Sequence, residues 1–388
     1  MNSGKTVFKQ LLQFLPQHEF NKCVARYNGH YKVRKFTCYD QFLCLAYAQI
    51  AGRESLRDIE TCLNSHGEKL YHIGFRSNVS RSTIADANEA RDYRIFQDFG
   101  YVLIGLAQEL YKDEDLAVDL KQPLFAFDST TIDLCLSLFP WAEFRETKAA
   151  VKMHTLLDLR GSIPSFIIIT TGKVPDVKVL DDLPIKADSI VTMDRGYIDF
   201  KRLYVLHQKG VFFVVRAKDN LKYRRLYSRN VDKAGGLRAD QTIDLTTKKS
   251  REGYPEHLRR ISYVDKEQNK RFVFLTNHFG LPAQTVADIY KQRWQVELFF
   301  KWIKQHLHIK SFYGTSPNAV KSQIWVALSI YLLAAIVKKQ LKVPGSLYTF
   351  SQVVEVNLFE KKPILQVVAD ALKQETENDA CNQLNLFN

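Results

Sequence analysis

Leu124-Phe125-Ala126-Phe127 is a short apolar run that stops on Asp128, and Ile190-Val191-Thr192-Met193 is a second that stops on Asp194. Apolar runs without alternation read as strands covered on both faces, as in the parallel sheet of an α/β protein. In such sheets ligands gather beyond the carboxyl ends of the strands. If the two strands are neighbours, Asp128 and Asp194 face each other there, and two carboxylates so placed repel unless a cation lies between them. Hard oxygen ligands favour Mg2+ over zinc. A strand-terminal Asp is also a common turn or cap residue, so this pair alone leaves both readings open.

Around these runs the pattern is mixed. Lys152 to Leu159 and Ile163 to Thr170 flank Arg160-Gly161 and predict a β-hairpin, with Phe166-Ile167-Ile168-Ile169 strongly strand-forming. Val174 to Leu183 reads as a short crossover helix, Phe200 to Gln208 as a helix, and Val211 to Val215 as another strand. Residues 224–283 are polar, basic and strand-like, with strands over Thr242–Leu245, Ile261–Val264 and Phe272–Leu275, and resemble a β-rich insertion. Residues 1 to about 115 are helical in pattern: Phe8, Leu11, Leu12 and Leu15 share a face, and Ser55 is placed to cap a helix carrying Leu56, Ile59 and Leu63. Ser80-Arg81-Ser82-Thr83 opens a further helix whose basic, hydroxyl-rich first turn suits a DNA groove as well as an ordinary cap.

The chain has 388 residues, with 55 Lys and Arg against 42 Asp and Glu, a net charge of +13. That length predicts two or three domains, and a pI near 9.3 favours a polyanionic partner, nucleic acid before membrane. The apolar run Ile324–Val337 is too short for a bilayer that needs about 20 residues, and reads as a buried core helix. The N-terminal residues carry no secretory apolar core. Six scattered cysteines, without a CxxC pair, fit a reducing cytoplasm.

A long helical stretch is expected from Thr285 past His308. Within it Tyr290, Arg293, Glu297 and Lys304 stand at offsets 0, 3, 7 and 14. At about 100° per residue they fall within roughly 60° of one another, on one stripe. Ile289, Val296, Phe300, Ile303 and Leu307 flank it on one side, and Trp294, Leu298 and Trp302 on the other. An i,i+4 Arg293–Glu297 pair explains two of the four residues, but not the Tyr and Lys in line with them. His306 and His308, two apart, cannot face one metal and read as surface or DNA-facing groups.

Asp128 in Phe-Ala-Phe-Asp-Ser-Thr, Asp194-Arg195-Gly196-Tyr197, and Tyr290-x2-Arg293-x3-Glu297-x6-Lys304 together resemble the bacterial insertion-sequence DDE transposases with the YREK signature, the IS-four type. The resemblance covers about 120 to 340, and the N-terminal hundred residues are similar to the helical leader of some members. It implies an α/β, RNase H-like catalytic core with a β-rich insertion, preceded by a helical N-terminal domain. The corresponding division is a DNA-end-binding domain at 1–115, core at 116–223, insertion at 224–283, the Glu-bearing second part of the core at 284–340, and a tail at 341–388, frayed from Gln374.

Carried over, the resemblance makes Asp128, Asp194 and Glu297 the metal-binding catalytic triad. Tyr290, Arg293 and Lys304 become phosphate contacts at the transposon end. Arg216 and Lys218 match a looser basic motif and also touch DNA, and Trp294 either stacks on an unpaired base or belongs to the core. The implied chemistry uses two Mg2+ ions, replaceable by Mn2+: water releases a 3′-OH at the element end, and that hydroxyl attacks the opposite strand, giving a hairpin, or the target. Its partners are double-stranded DNA and a second copy of the chain. Among rival carboxylates, Asp133, Asp176 and Asp199 end no buried run, and Pro175 stands where many relatives have His before the Asp matching Asp176. His154, inside a strand, reads as structural. The alternatives are a catalytically silent end-binding protein and a metal-dependent nuclease or resolvase.

Overall fold

The computed structural model describes residues 4–67, 69–75, 77–266, 269–306 and 311–371. The chain forms two compact units, Lys112–Phe300 and Met1–Tyr111 together with Lys301–Asn388.

The helical unit begins with α1 (Val7–Leu12), α2 (Gln17–Arg26), α3 (Cys38–Ile50), α4 (Leu56–Ser65), α5 (Lys69–Ile73), α6 (Arg81–Ala90) and α7 (Arg94–Tyr111). Local chemistry sets the ends. Thr37 and Asp40 form a reciprocal capping box on α3, and Ser55 accepts the Asp58 amide at 3.1 Å, as expected of a cap. The Ser80 end of α6 differs from expectation. Its side chain makes no cap bond, and Glu60 Oε1 accepts the Arg81 amide at 3.1 Å. A carboxylate on that turn makes it a poor entry point for DNA phosphates.

The other unit holds the sheet: β1 (Leu124–Leu134), β2 (Glu143–Arg145), β3 (Lys148–Asp158), β4 (Ile163–Thr171), β5 (Ile190–Met193), α8 (Phe200–Gln208), β6 (Phe212–Arg216), β7 (Tyr223–Arg229), β8 (Leu237–Leu245), α9 (Lys248–Gly253), β9 (Leu258–Asp265), β10 (Lys270–Thr276) and α10 (Ala283–Gln292). The strand β5 lies parallel to both β1 and β6, and all four of its residues are buried. That explains its unalternating sequence. Antiparallel β3 and β4 complete the order β4-β3-β1-β5-β6, the arrangement of an RNase H-like core. Gly161 and Ser162, at φ 67° and 57°, supply the left-handed turn of the β3–β4 hairpin. The Val174–Leu183 crossover is a 3-10 helix over Asp176–Asp182.

The residues read as a β-rich insertion form β7 to β10 and extend the core sheet. β10 pairs antiparallel with β6, and β9, β8 and β7 follow in turn, so all ten strands among the described residues belong to one sheet. Phe127, Val191, Met193, Phe213, Val215, Ile243, Leu258 and Leu275 accordingly share one core.

The expected long helix is broken at Arg293, which caps α10, and resumes as α11 (Trp294–His306). The chain continues into α12 (Pro317–Gln340) and α13 (Leu347–Val356). Residues 301–340 were expected with the catalytic core, but α12 packs on α7 and α3 of the helical unit. Trp325 of α12 fits where Gly100 of α7 leaves no side chain; a Cβ there would lie 2.7 Å from the indole. α12 is long and apolar enough to cross a membrane, yet 94% of its most apolar window is buried inside the protein, as a core helix requires. Leu307, His308 and the tail from Gln374 lie outside the described residues, as does the side chain of His306.

Candidate active site where two parallel strands part

The first strand does not stop at Asp128 as expected: β1 runs on to Leu134 paired with β3, and only its pairing with β5 ends, at Phe127 opposite Met193, so Asp128 within β1 and Asp194 just past β5 are neighbours. Each carboxylate is held by a hydroxyl: Tyr197 OH donates to Asp128 Oδ1 at 3.3 Å, and Tyr290 OH to Asp194 Oδ1 at 3.2 Å. The Ser129 amide also donates to Asp128 Oδ1, at 2.8 Å. The helix break puts Arg293 between two acids. Its Nη1 lies 3.3 Å from Asp128 Oδ2 and its Nη2 2.7 Å from Glu297 Oε1, with only 13% of the side chain exposed. The sequence stripe therefore does bring Tyr290, Arg293 and Glu297 onto the two aspartates. Lys304 follows seven residues after Glu297 on α11, half-buried, in the part of that helix belonging to the helical unit.

Burial pushes Asp128 up to about 6, and nearby Glu297 adds to it, against the Ser129 amide, Arg293 and Tyr197. Burial also drives Tyr290 up to about 12, so its phenol keeps its proton and acts as a donor, not a phenolate nucleophile. Burial works against the charge on Arg293, but Tyr290, Glu297 and Asp128 outweigh it and hold the guanidinium protonated. Its Nε is buried without an acceptor among the described residues.

The expected single cation pocket is not closed. Among the described residues no three His, Cys, Asp or Glu are grouped to hold one metal ion. The acids are instead linked through a guanidinium, because unpaired burial of Asp128 beside Glu297 would be costly. The donor chemistry nonetheless fits a hard divalent ion: all three groups are carboxylates, and Asp128 and Glu297 already share one cation.

Beside Asp194 opens a cleft of about 590 Å³, walled by Arg216, Lys270, Phe272, Tyr290, Arg293 and Trp294. Phe272 has Arg216 and Lys270 over its ring at 5.2 and 5.6 Å. Trp294 is 56% and Leu298 49% exposed, whereas Ile289, Val296, Phe300 and Ile303 are buried. One of the two expected apolar bands is thus core, and Trp294 is not. Lys218 lies elsewhere: it donates to the Ile198 carbonyl at 3.4 Å and lines a second cleft with Lys201, Arg202, Lys222 and Lys249.

Sequence reasoning quoted Tyr197 only as part of a motif and weighed Asp176 and His154 singly, and missed the contacts each makes. Asp176 Oδ1 accepts from Ser129 Oγ at 3.0 Å and lies 3.1 Å from Lys152 Nζ and 3.7 Å from His154 Nδ1. The β1–β3 register makes Ser129 the partner of His154. His154 is fully buried, bonded to Thr170 Oγ1 at 2.9 Å, and burial lowers it to about 4, so it is neutral and structural. Asp199 caps α8, and Asp133 is exposed.

Two aspartates side by side where the parallel pairing of β1 and β5 stops, with a glutamate brought in from a later helix, define an RNase H-like, nucleotidyl-transfer type of core. The Transposase DDE domain family matches residues 119–333. The chain belongs to that family. A domain family of unknown function matches residues 3–76. Among relatives, the probable transposase of insertion sequence element IS5377 from Geobacillus stearothermophilus is 34% identical over 55% of this chain and 56% of its own length. A protein provisionally named transposase y4zB in Sinorhizobium fredii is 31% identical over 73% and 79%. The chain thus spans little more than half of the first of these relatives. A piggyBac transposase in a synaptic complex with hairpin DNA superposes with a TM-score of 0.44 at 10% identity, over 93% of this chain and 80% of that one.

Proposed function

We propose that the chain performs cut-and-paste transposition in the bacterial cytoplasm. In this reading it hydrolyses a phosphodiester at the ends of its own element and passes the freed 3′-hydroxyl to target DNA, working as a homodimer on two ends. The observation that carries this reading is Arg293 bridging Asp128 and Glu297 beside Asp194. Asp128, Asp194 and Glu297 would hold Mg2+, or Mn2+ in its place. The bound ions would activate the attacking oxygen and stabilise the leaving 3′-oxygen.

The protein's own groups do the rest. Tyr290, kept protonated, orients Asp194 and presents a donor at the cleft. Arg293 carries a buried Nε that lacks an acceptor, a group suited to a phosphate oxygen once DNA enters. Arg216 and Trp294 line the same cleft, where a cation meets backbone and an exposed indole meets a base face. Lys218 and Lys304 would contact phosphates from outside it.

The test uses Mg2+ and a donor duplex carrying the DNA that flanks the coding sequence. Cleavage followed by joining is expected, and Glu297→Gln should abolish cleavage by at least 10³-fold while leaving end binding within a few-fold. Binding alone, or hydrolysis without joining, would overturn the proposal in favour of a silent binder or a nuclease.

A further inference from the structure

The helical unit carries a cationic turn that the site does not use. From Phe20 to Tyr39 there is no Asp or Glu, while Lys22, Arg26, Lys32, Arg34 and Lys35 fall in that span. Lys22 is neutralised by Glu19 at 2.8 Å, and Arg26 is paired with Asp98. Lys32, Arg34 and Lys35, all exposed, have no carboxylate partner among the described residues. They differ in this from the basic edge strand β7, where Asp244 and Asp240 pair with Arg224 and Arg229.

The turn is also held in shape. Cys38 Sγ donates to the Gly29 carbonyl at 3.1 Å, and the Arg91 guanidinium donates to the carbonyls of Phe36 and Thr37. Gly29 is packed so closely that a Cβ would lie within 2.8 Å of Cys38 Sγ and of Ile95 Cδ1. Lys32 itself is left-handed, at φ 54°, a conformation that costs a lysine about 1–2 kcal/mol and persists only when its surroundings enforce it. Beside it Tyr31 is 73% exposed. Three unneutralised cations on a fixed turn are matched by a polyanion with regularly spaced charges, and a preformed turn loses little entropy on binding it.

We propose that the Tyr27–Phe36 turn is a docking surface for the phosphate backbone of duplex DNA, giving that role to the domain of unknown function. The proposal rests on the reading that the chain acts on DNA. It replaces the Arg81 turn, where Glu60 stands, as the contact made by this unit.

The full chain, its Lys32→Gln/Arg34→Gln/Lys35→Gln variant and the charge-keeping Lys32→Arg/Arg34→Lys/Lys35→Arg variant would be titrated with a random-sequence duplex by fluorescence anisotropy across a salt series. Each phosphate contact contributes about 0.9 to the slope of log K against log salt, so the Gln variant should lose about 2–3 units of slope and the charge-keeping one almost none. Each single Gln substitution should take about one unit, which decides the matter if the triple variant folds poorly. An unchanged slope in variants whose parent binds DNA would overturn the docking surface alone. A parent with no salt-dependent affinity for DNA would overturn the reading of the chain as well.

Discussion

Replacing Arg293 by Gln tests the link between the acids. The guanidinium lies 3.3 Å from Asp128 and 2.7 Å from Glu297, with 21% and 34% of those two side chains exposed. Unit charges about 4 Å apart attract by about 4 kcal/mol at an effective dielectric of 20. Removing one partner of a buried pair costs about 3–5 kcal/mol. Partial exposure reduces this, and about 2 kcal/mol is expected at pH 8, where Asp128, at about 6, is ionised. For a unit the size of Lys112–Phe300 that is a fall of roughly 4–8 °C in Tm in the presence of EDTA. The same 2 kcal/mol opposes any divalent ion that must displace the guanidinium, so the variant should bind Mn2+ roughly 30-fold more tightly. Scanning calorimetry in EDTA and Mn2+ titration followed by electron paramagnetic resonance read the two effects separately. A variant as stable as its parent that also binds Mn2+ no better would show that Arg293 does not stand in for a cation.

Other outcomes follow from the same geometry. Lys304→Ala should lower the salt slope of DNA binding by about one unit, measured by anisotropy, with a proportionate loss of affinity. His154, at about 4 in the fold against an ordinary 6.5, favours the neutral form; its contribution is complete above pH 6.5 and is lost as pH falls toward 4. The full difference is about 3 kcal/mol, and His154→Gln should flatten the acid side of the stability profile in urea titrations between those limits.

The parts of the molecule legible from sequence were those governed by local periodicity. β5 and the first four residues of β1 could be read because an apolar run without polar alternation marks a covered strand, whereas the polar stretch of β1 from Asp128 to Leu134 could not; the relation of Tyr290, Arg293 and Glu297 was legible because helical spacing fixes a stripe. What stayed hidden depends on pairing between distant segments. Asp176 reaches Ser129 and Lys152 only through the β1–β3–β4 register, and no spacing in the chain encodes it. The pairing of β10 with β6 is likewise non-local, so the sequence showed residues 224–283 as β-rich but not which core strand they join. Trp294 and Val296 are equally apolar in sequence; which of them is covered depends on what packs against α11, and only Val296 is.

The hydrogen bonding of β10 to β6 has a mechanical consequence. From β1 to β7 the sheet makes six hydrogen-bonded steps, roughly 29 Å at about 4.8 Å per step. Whatever rests on its far rim is therefore kept at a set reach from Asp128 and Asp194, close to the rise of eight or so base pairs at about 3.4 Å each. On the proposed function, lengthening the sheet would shift that reach without touching the carboxylates themselves.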